Sequence, residues 1–314
     1  MATDEQTDPP PGLRGYSPTK RRDHLQTDRT PGLKAMSDSR IPLPSSKIPH
    51  FILTRFNVLK VKQTQADAPS LEWLTHRFDL FERFCLPSVL SQDETDFRWL
   101  IYFDEKTPDE FQERVRGYGD TRIRSIFVPP GGATLDKVKA HIRAELPDET
   151  PWILTTRLDN DDAIARDFCS RLRGSITGLE PHALNFSNGV IYADGRLFQH
   201  SDLSNAFIST LERTSEFETA WHGFHTEVSK FLPVNQLEGP PMWMQVVHDR
   251  NISNVVRGKL LSNSEGLQRF AVELDLTEPP SKGALLMDRT VFATYRQIRD
   301  RLIGAAKAVI ALRR

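Results

Sequence analysis

The sequence predicts an α/β fold with a largely parallel sheet. The prediction rests on short apolar runs, typical of buried strands, that alternate with helical patterns after residue 49. No Gly-x-Gly-x-x-Gly motif follows the first run, which counts against a classical dinucleotide-binding domain. The predicted strands are HFILTRFNVL (50–59), FRWLIYFD (97–104), IRSIFVPP (123–130) and PWILTTRLDND (151–161).

Three helices are predicted between these strands. The first follows Ser70, a good N-cap residue, and apolar residues recur at helical spacing until Pro87, which is expected to interrupt it. The second is expected to begin at Pro108, because proline is favoured at the first helical position. The third is predicted in TLDKVKAHIRAEL (134–146).

The chain is divided into three predicted parts. Residues 1–48 are poor in bulky apolar residues and rich in Pro, Thr, Ser, Asp and Arg, so this tail is predicted to be disordered. Residues 49–270 form the α/β domain, in which Asp194 and Gly195 indicate a hairpin turn and the last part mixes short helical and loop pieces. Residues 271–314 form a C-terminal extension whose helix is apolar on one face and basic on the rest.

The composition excludes several classes of protein. The formal charge of −1 gives no basic face, so nucleic acid is not expected as a partner. Cys85 and Cys169 are too few for a disulfide framework or a cysteine metal site, and both are expected to be packed. No apolar run approaches the roughly 20 residues that span a bilayer, and the N-terminal residues lack the apolar core of a secretory signal. A cytoplasmic location is therefore expected.

A dense group of carboxylates follows the fourth predicted strand, in TTRLDNDDAI (155–164). The group is either a solvated turn, with Asp159 or Asp162 capping a helix in AIARDFCSRL, or a seat for a divalent cation. An EF-hand loop is excluded because its sixth position would be Ile164 instead of Gly. An aspartyl-phosphate phosphatase is disfavoured because Ala163 stands where a hydroxyl residue is needed.

One histidine is a candidate metal ligand alongside these acids. His248 lies in MWMQVVHDRNISN, far along the chain from the carboxylates. A lone histidine is more often packed or exposed than a ligand, but imidazole and carboxylate together form a familiar ligand set for Mn²⁺.

The order of several blocks resembles the putative rhamnosyltransferase family, a branch of the GT-A glycosyltransferases. The resemblance covers roughly residues 48–260 and leaves out the N-terminal tail and the last fifty residues. The blocks are HFILTRFN, RFDLFERFCLPSVLSQ, FRWLIYFDEKTP, WILTTRLDNDDAI, LNFSNGVIY and MWMQVVHDRNISN.

The resemblance implies a GT-A fold whose D-x-D motif holds Mg²⁺ or Mn²⁺ against the diphosphate of a nucleotide-sugar donor. Carried over to this sequence, Asp161 is the direct metal ligand, Asp159 faces the ribose or the metal, and His248 is a further ligand. The first-strand segment and the end of the second strand are implied to meet the nucleotide through Thr54, Arg55, Asn57 and Asp104.

Sugar transfer also needs positive charge near the leaving diphosphate and a general base near the acceptor hydroxyl. Arg157, just before the acids, supplies either that charge or a structural ion pair. Glu238, Glu227 and Asp249 are the candidate bases, and the sequence does not choose among them. Glu238 is preferred because its loop lies shortly before His248.

Three aromatic residues and the C-terminal helix each have two possible interpretations. Trp221, Trp243 and Tyr192 form either a stacking face for a sugar or part of the core. The basic C-terminal helix either packs on the domain or lies on an anionic membrane near a lipid-linked or polysaccharide acceptor.

The sequence therefore predicts a metal-dependent glycosyltransferase. The donor is a nucleotide-sugar, for which the family's label suggests rhamnose or another deoxyhexose, and the acceptor is a saccharide or another hydroxyl compound. The alternatives are a metal-dependent nucleotidyl- or phosphoryl-transfer enzyme, and a carbohydrate- or nucleotide-binding module that has lost catalysis. The presence of Asp159, Asp161 and His248 argues against that loss.

Overall fold

The structure is a computed structural model that describes residues 48–60, 62–63, 65–248, 255–262 and 267–312. The tail predicted to be disordered lies outside the described residues up to residue 47, and so does Asp249. The α/β class predicted from the sequence is confirmed.

The described strands form two sheets. They are β1 His50–Arg55, β2 Arg98–Asp104, β3 Ile123–Val128, β4 Trp152–Arg157, β5 Ala163–Ile164, β6 His182–Phe186, β7 Asn188–Ala193, β8 Arg196–Ser201, β9 Ser209–Arg213, β10 Val234–Leu237, β11 Trp243–Val247 and β12 Lys259–Leu260. The seven-stranded sheet has the order β10-β6-β9-β4-β1-β2-β3, and the five-stranded sheet has the order β12-β8-β7-β11-β5.

Helices and helical turns connect and cover these strands. The α-helices are α1 Leu71–Leu80, α2 Leu86–Leu90, α3 Asp109–Arg116, α4 Leu135–Glu145, α5 Phe168–Gly174, α6 Lys282–Met287 and α7 Ala293–Leu312. Two π turns and three 3₁₀ turns complete the set: Phe81–Cys85, Asp288–Phe292, Gln65–Asp67, His225–Lys230 and Leu267–Arg269.

The seven-stranded sheet is largely parallel, as predicted. Strand β9 runs antiparallel to both of its neighbours, β4 and β6. The pairs β1–β2, β1–β4, β2–β3 and β6–β10 are parallel. The carboxyl ends of β1, β2, β4 and β10 therefore meet at one margin of the sheet, which we call the C-terminal edge. In open α/β sheets this is the side on which ligands bind.

An aromatic cluster fixes the first helix on the sheet. Phe56, which follows β1, contacts Phe78 of α1 at a ring-centroid distance of 4.4 Å and Phe103 of β2 at 4.9 Å. Phe78 is completely buried, and burial of a side chain of this kind contributes about 2 kcal/mol. Ser70 caps the helix as predicted, since its hydroxyl oxygen accepts a hydrogen bond from the amide of Trp73. The apolar spacing of α1 thus sets the helix beside the C-terminal edge.

The predicted interruption at Pro87 is wrong, because the helical chain continues through it. A proline inside a helix lacks an amide donor and crowds the carbonyl four residues before it. Here the wider π turn Phe81–Cys85 precedes the proline, and the amide of Leu86 donates to the carbonyl of Phe81. The extra residue of the π turn accommodates the ring without a break.

The region after β4 differs from its prediction in one important respect. The alternative of a solvated turn included a helix in AIARDFCSRL, but Ala163 and Ile164 form β5, and α5 begins only at Phe168. Strand β5 pairs with β11, with Ile164 opposite Trp243. The chain therefore passes from one sheet to the other within a few residues.

The later part of the domain is richer in strands than expected. Strands β9, β10 and β11 lie where the sequence indicated only short helical and loop pieces. The predicted hairpin is confirmed between β7 and β8, and both turn residues, Asp194 and Gly195, have positive φ angles of 47° and 70°. No helix among the described residues is long and apolar enough to cross a membrane.

Candidate functional site

The segment between β4 and β5, residues 158–162, holds three carboxylates in three different environments. We call it the acid loop. The side chain of Asp159 is 44% exposed, whereas that of Asp161 is only 8% exposed and Asp162 is buried. Because the loop leaves the carboxyl end of β4, all three acids lie at the C-terminal edge.

Asp161 receives two positively charged or polar partners on the same oxygen. Nη1 of Arg77, on α1, donates a hydrogen bond to Oδ2 of Asp161 at 2.6 Å. Nε2 of His248 lies 3.2 Å from the same Oδ2, although the two residues are 87 positions apart in sequence. Burial works to raise the pKa of Asp161, but the bond with His248 and the charge of Arg77 prevail and lower it. Asp161 is therefore held as a carboxylate.

Strand pairing explains how His248 reaches the acid loop. Met244 of β11 is paired with Ala163 of β5, directly after the acids. Two residues further along β11, the amide of Val246 donates to Oδ1 of Asp162 at 2.9 Å. His248 follows two residues later and so comes beside Asp161. The five-stranded sheet supplies the histidine and the seven-stranded sheet supplies the acids.

Asp162 does not cap a helix. Its carboxylate is fully enclosed and accepts the Val246 amide, while the N-cap position of α5 belongs to Asp167. Burial, followed by the nearby charges of Asp161 and Asp159, raises the pKa of Asp162 well above its usual value. Asp162 thus serves as a buried bridge between the acid loop and β11.

Asn160, which the sequence reading passed over, holds the acid loop against β1. Its side-chain amide donates to the carbonyl oxygens of Arg55 at 3.2 Å and Phe56 at 2.9 Å. Its Oδ1 accepts a hydrogen bond from Arg77 at 3.2 Å. An asparagine suits this position because one side chain provides both donors and an acceptor.

The pair Asp161 and His248 can hold a divalent cation together with ligands from a substrate. Two neighbouring ligands of an octahedral ion with bonds of about 2.1 Å lie about 3 Å apart, close to the 3.2 Å between Oδ2 and Nε2. Among the described residues, no group of three or more His, Cys, Asp and Glu side chains is arranged for a metal ion. Two protein ligands of this kind would suit an ion such as Mg²⁺, which commonly takes few protein ligands and completes its shell with phosphate and water.

Arginines surround the acids. Nη2 of Arg157 donates to Oδ1 of Asp159 at 3.4 Å. The guanidinium of Arg55 lies 4.2 Å from the ring centroid of Trp221. Burial, and next the charge of Arg157, lower the pKa of Arg55, whereas the charge of Asp159 raises it. With Arg77, three guanidinium groups gather at the C-terminal edge, and such groups match the oxygens of a phosphate.

The other residues proposed to meet a nucleotide have separate positions. Thr54 is fully buried, and its hydroxyl accepts a hydrogen bond from the indole of Trp99 at 2.9 Å, so it belongs to the core. Asn57 and Asp104 lie together at the ends of β1 and β2, where Oδ1 of Asn57 accepts the amide of Asp104 at 3.1 Å. Asn57 also donates to the hydroxyl of Thr107 at 3.0 Å.

The candidate bases are not equivalent. Glu238 is exposed directly after β10, at the same edge as the acid loop. Since β10 lies three strand positions from β4, the separation across the sheet is about 14 Å. Glu227 is on the 3₁₀ turn and is paired with Lys230 at 2.6 Å, an interaction that lowers the pKa of Glu227. Asp249 lies outside the described residues.

Two of the three aromatic side chains weighed as sugar platforms belong to the core. Trp243 is 2% exposed, and its indole donates to the carbonyl of Phe186 at 2.8 Å. The hydroxyl of Tyr192 donates to the carbonyl of Asp275 at 3.0 Å. Trp221 is also nearly buried, at 6% exposure, but it lies at the C-terminal edge under Arg55.

Comparison with known proteins now identifies the family. Residues 53–260 match the family described as "Putative rhamnosyl transferase". The chain belongs to this family. No curated protein matches it.

Several solved structures resemble this rhamnosyl transferase family member at low sequence identity. The S. aureus protein TarS, residues 1–349 in complex with UDP-GlcNAc, has 12% identity and a TM-score of 0.42, with 66% of this chain and 62% of that chain covered. The inositol-1-phosphate CTP transferase from T. maritima has 11% identity and a TM-score of 0.33, with coverage of 63% and 89%. HddC from Yersinia pseudotuberculosis has 11% identity and a TM-score of 0.34, with coverage of 61% and 90%. The chain thus spans about three fifths of the TarS chain.

Sequence reasoning about this family member missed Arg77 as well as Asn160. The helical pattern of α1 puts Phe78 in the core, so its neighbour Arg77 had to lie near the margin of the buried face. That pattern is a signal for partial burial, but it does not reveal the carboxylate on the other side. His76, whose ring lies edge-on to His248 at a centroid distance of 5.2 Å, was missed for the same reason.

Proposed function

We propose that the protein is a glycosyltransferase that moves a sugar from a nucleotide-sugar donor to a saccharide or other hydroxyl acceptor. Membership of the rhamnosyl transferase family supports the reaction class. The observation that carries the proposal is the approach of His248 to Asp161, at 3.2 Å, from a different sheet and at the C-terminal edge. An acid and an imidazole brought together in this way are donors for a divalent cation.

We propose that Asp161 and His248 hold Mg²⁺ or Mn²⁺, with Asp159 facing the same ion or the ribose. When bound, such an ion offsets the negative charge that a departing nucleoside diphosphate develops. Asp162 and Asn160 orient the loop from behind, through the Val246 amide and the β1 carbonyls. The protein thus contributes carboxylates that buried hydrogen bonds hold in place before the donor and the cation bind.

We propose that Arg55, Arg77 and Arg157 provide the fixed positive charge that receives the donor's phosphates. All three lie beside the acid loop and have donors suited to phosphate oxygens. Asn57 and Asp104 lie beyond them at the ends of β1 and β2, in place for the ribose or base. Thr54 supports this margin from the core through its bond with Trp99.

We propose Glu238 as the general base that takes the proton of the acceptor hydroxyl. It is exposed at the C-terminal edge, and no ion pair of Glu238 is formed among the described residues, unlike the pair of Glu227 with Lys230. Asp249, next to His248 in sequence, is the competing candidate. A solvent-exposed carboxylate is accessible to the hydroxyl of an acceptor that binds from solution.

The donor sugar proposed is rhamnose or another deoxyhexose, following the description of the family. The acceptor proposed is a saccharide, free or lipid-linked, as in polysaccharide synthesis. We place the enzyme in the cytoplasm, in peripheral contact with the inner face of a membrane through its C-terminal helix.

The test is release of nucleoside diphosphate from a panel of nucleotide-sugars, with Mn²⁺, with Mg²⁺ and with EDTA. We expect one donor to give metal-dependent release and Asp161→Asn to lower it by about a hundredfold or more, because a charged ligand is lost. Asp148→Asn is the matched control and is expected to keep full activity, because Asp148 is exposed in the loop that precedes β4, at the opposite end of this strand from the acid loop. Release of sugar 1-phosphate instead of nucleoside diphosphate would show nucleotidyl transfer, because attack on the α-phosphate breaks the bond between the two phosphates. Metal-independent release of nucleoside diphosphate would remove the cation from the proposal.

The base is tested separately with Glu238→Gln and Asp249→Asn. We expect Glu238→Gln to lower kcat strongly while the KM for the donor changes little, because the base acts on the acceptor. A loss of kcat confined to Asp249→Asn would transfer the role to that residue.

A further inference from the structure

The C-terminal helix packs on the domain with its charged side. By this name we mean α6, the π turn Asp288–Phe292 and α7. Asp288 is 4% exposed, and its Oδ2 accepts the amide of Leu260 in β12 at 2.9 Å. Arg296 donates to Oδ1 of Asp288 at 2.6 Å and to the carbonyl of Gly258 at 3.0 Å. Polar bonds thus hold the helix against the five-stranded sheet.

The apolar side of the same helix faces outward. Its side chains are exposed by half or more, whereas an amphipathic helix on a globular domain normally turns this side to the core. We call them the apolar stripe: Leu286 64%, Met287 56%, Val291 54%, Tyr295 64%, Ile298 53% and Leu302 66%. Nothing else among the described residues covers this stripe. Among the apolar residues from Ala284 to Leu302, only Leu285, which packs against a core cluster, and the buried Ala293 are turned toward the domain. Most of the apolar surface of this helix therefore faces outward.

The spacing of the stripe makes it continuous. Its members from Met287 to Leu302 follow one another at intervals of four, four, three and four residues, which keeps them on one face. The π turn lies inside this run, and its extra residue keeps α6 and α7 aligned on that face. The result is an apolar ridge that begins in α6 and continues along α7.

Charge around the stripe is strongly positive. Residues 282–314 contain eight Lys and Arg but only two acids, Asp288 and Asp300. The remainder of the chain contains 33 basic and 40 acidic residues, so the charge of the extension is opposite to that of the rest. Arg289 and Arg301 are exposed beside the stripe. Such asymmetry indicates a partner with negative charge.

We propose that the apolar stripe and its flanking arginines form a docking surface for an anionic lipid bilayer. A helix with apolar side chains on one face and arginines at its flanks lies in the plane of the membrane interface, and its binding combines apolar insertion with attraction to anionic headgroups. A second copy of the chain is a poorer occupant, because two extensions rich in arginine repel each other. This inference rests on the peripheral membrane contact proposed above and names the residues that make it, and its test does not depend on the sugar transfer.

The docking surface is linked to the candidate site through the five-stranded sheet. The helix is bonded to β12 and to Gly258, and β12 pairs with β8. Strand β11 of the same sheet leads to His248. A membrane bound by the stripe therefore lies at a fixed place relative to the acid loop, as an enzyme acting on a membrane-held acceptor requires.

The test is co-sedimentation of the full chain with vesicles of phosphatidylcholine, with and without phosphatidylglycerol. The variant Tyr295→Ser/Ile298→Ser/Leu302→Ser removes half of the stripe without touching the packed side. Leu71→Ser/Leu203→Ser is the matched control, since these leucines are 58% and 65% exposed elsewhere on the domain. Circular dichroism and Tm establish that each variant keeps the fold.

We expect the wild type and the control to bind vesicles that contain phosphatidylglycerol. We expect the triple variant to bind these vesicles at least about tenfold more weakly. We expect Arg289→Glu/Arg301→Glu to lose the preference for phosphatidylglycerol. Equal binding by the triple variant, or no binding by the wild type, would overturn the proposal. A dimer in light scattering that the triple variant abolishes would assign the stripe to self-association and overturn it as well.

Discussion

Arg77 and Asp161 form an ion pair at the centre of the candidate site, with Nη1 2.6 Å from Oδ2 and both side chains largely buried. The same Oδ2 faces His248 and is the oxygen proposed to bind the cation. The guanidinium and the proposed cation would therefore compete for one carboxylate oxygen. The guanidinium of Arg77 also lies over the ring of Trp73, at 4.9 Å from the ring centroid, and this cation–π contact is formed within α1.

The first prediction concerns this competition. We expect Arg77→Gln to tighten Mn²⁺ binding by about tenfold, because a positive charge next to the ligand is removed. We expect the same variant to lower kcat/KM for the donor, because a phosphate-binding group is lost. Isothermal titration with Mn²⁺ alone measures the first effect, and diphosphate release measures the second.

The matched control is Arg83→Gln, in the following π turn. Arg83 forms an ion pair with Asp275, away from the acid loop, and its side chain is 37% exposed. This variant is expected to change neither quantity. Weaker Mn²⁺ binding in Arg77→Gln would contradict the prediction and show that the arginine supports the carboxylate instead of competing for it.

The second prediction concerns Asp162. Its Oδ1 accepts the Val246 amide inside the protein. Asp162→Asn keeps an acceptor oxygen and is expected to preserve the free energy of unfolding within about 0.5 kcal/mol. Asp162→Leu has a similar size but no acceptor and is expected to lose about 1–3 kcal/mol. Urea unfolding separates the two, and an equal loss in both variants would show that the charge itself is required.

The third prediction concerns Gly189, on β7. A Cβ atom at this residue would lie 2.0 Å from Cδ2 of Trp243 on the neighbouring strand. Gly189→Ala must displace the indole or the strand, so we expect a loss of about 1–3 kcal/mol and a lower Tm. Gly178→Ala is the control, because nothing lies within 4 Å of its Cβ position. A Tm equal to that of wild type would mean that β7 and β11 can separate locally at little cost.

The fourth prediction concerns pH and His50. Burial, and next the charge of Arg173, lower the pKa of His50 to about 3 from 6.5. The unfolded chain takes up a proton at His50 below about pH 6.5 and the folded chain does not, so stability is lost as the pH falls from 6.5 toward 3. Between pH 6.5 and 5 this residue alone contributes a loss of about 1.6 kcal/mol.

The measurement compares the wild type with His50→Gln in urea unfolding at several pH values. Glutamine does not titrate and can reach the Thr156 hydroxyl, which lies 2.8 Å from Nε2 of His50. The variant is expected to have a shallower dependence on pH over this range. Parallel curves for the two proteins would show that His50 does not remain neutral in the folded state.

Local patterns predicted the first half of the fold well. The strands through β4 and the helices between them carry clear apolar periodicities, and Ser70 and Asp194-Gly195 mark a helix start and a turn. Strand β9 was missed although it lies inside the large sheet, with a strand on each side. Its five residues, STLER, include only one large apolar residue, and its place is set by β4 and β6 on its two sides.

The candidate site was predictable only in part. Acids directly after a buried strand indicate the C-terminal edge, so the position of Asp159 and Asp161 follows from the sequence. The partner Arg77 does not, because its contact with Asp161 depends on how α1 packs. The function of Asp162 depends on the two-residue strand β5, which pairs with Trp243 and Met244. No local sequence pattern predicts this pairing.

The acid loop begins in one sheet and ends in the other, within the few residues between β4 and β5. For the construction of chimaeras this has a practical meaning. A crossover placed inside residues 158–162 would combine acids from one parent with a histidine strand from another, and the Val246–Asp162 bond would have to be rebuilt. In a chimaera, residues 158–164 and residues 243–248 must therefore come from the same parent protein.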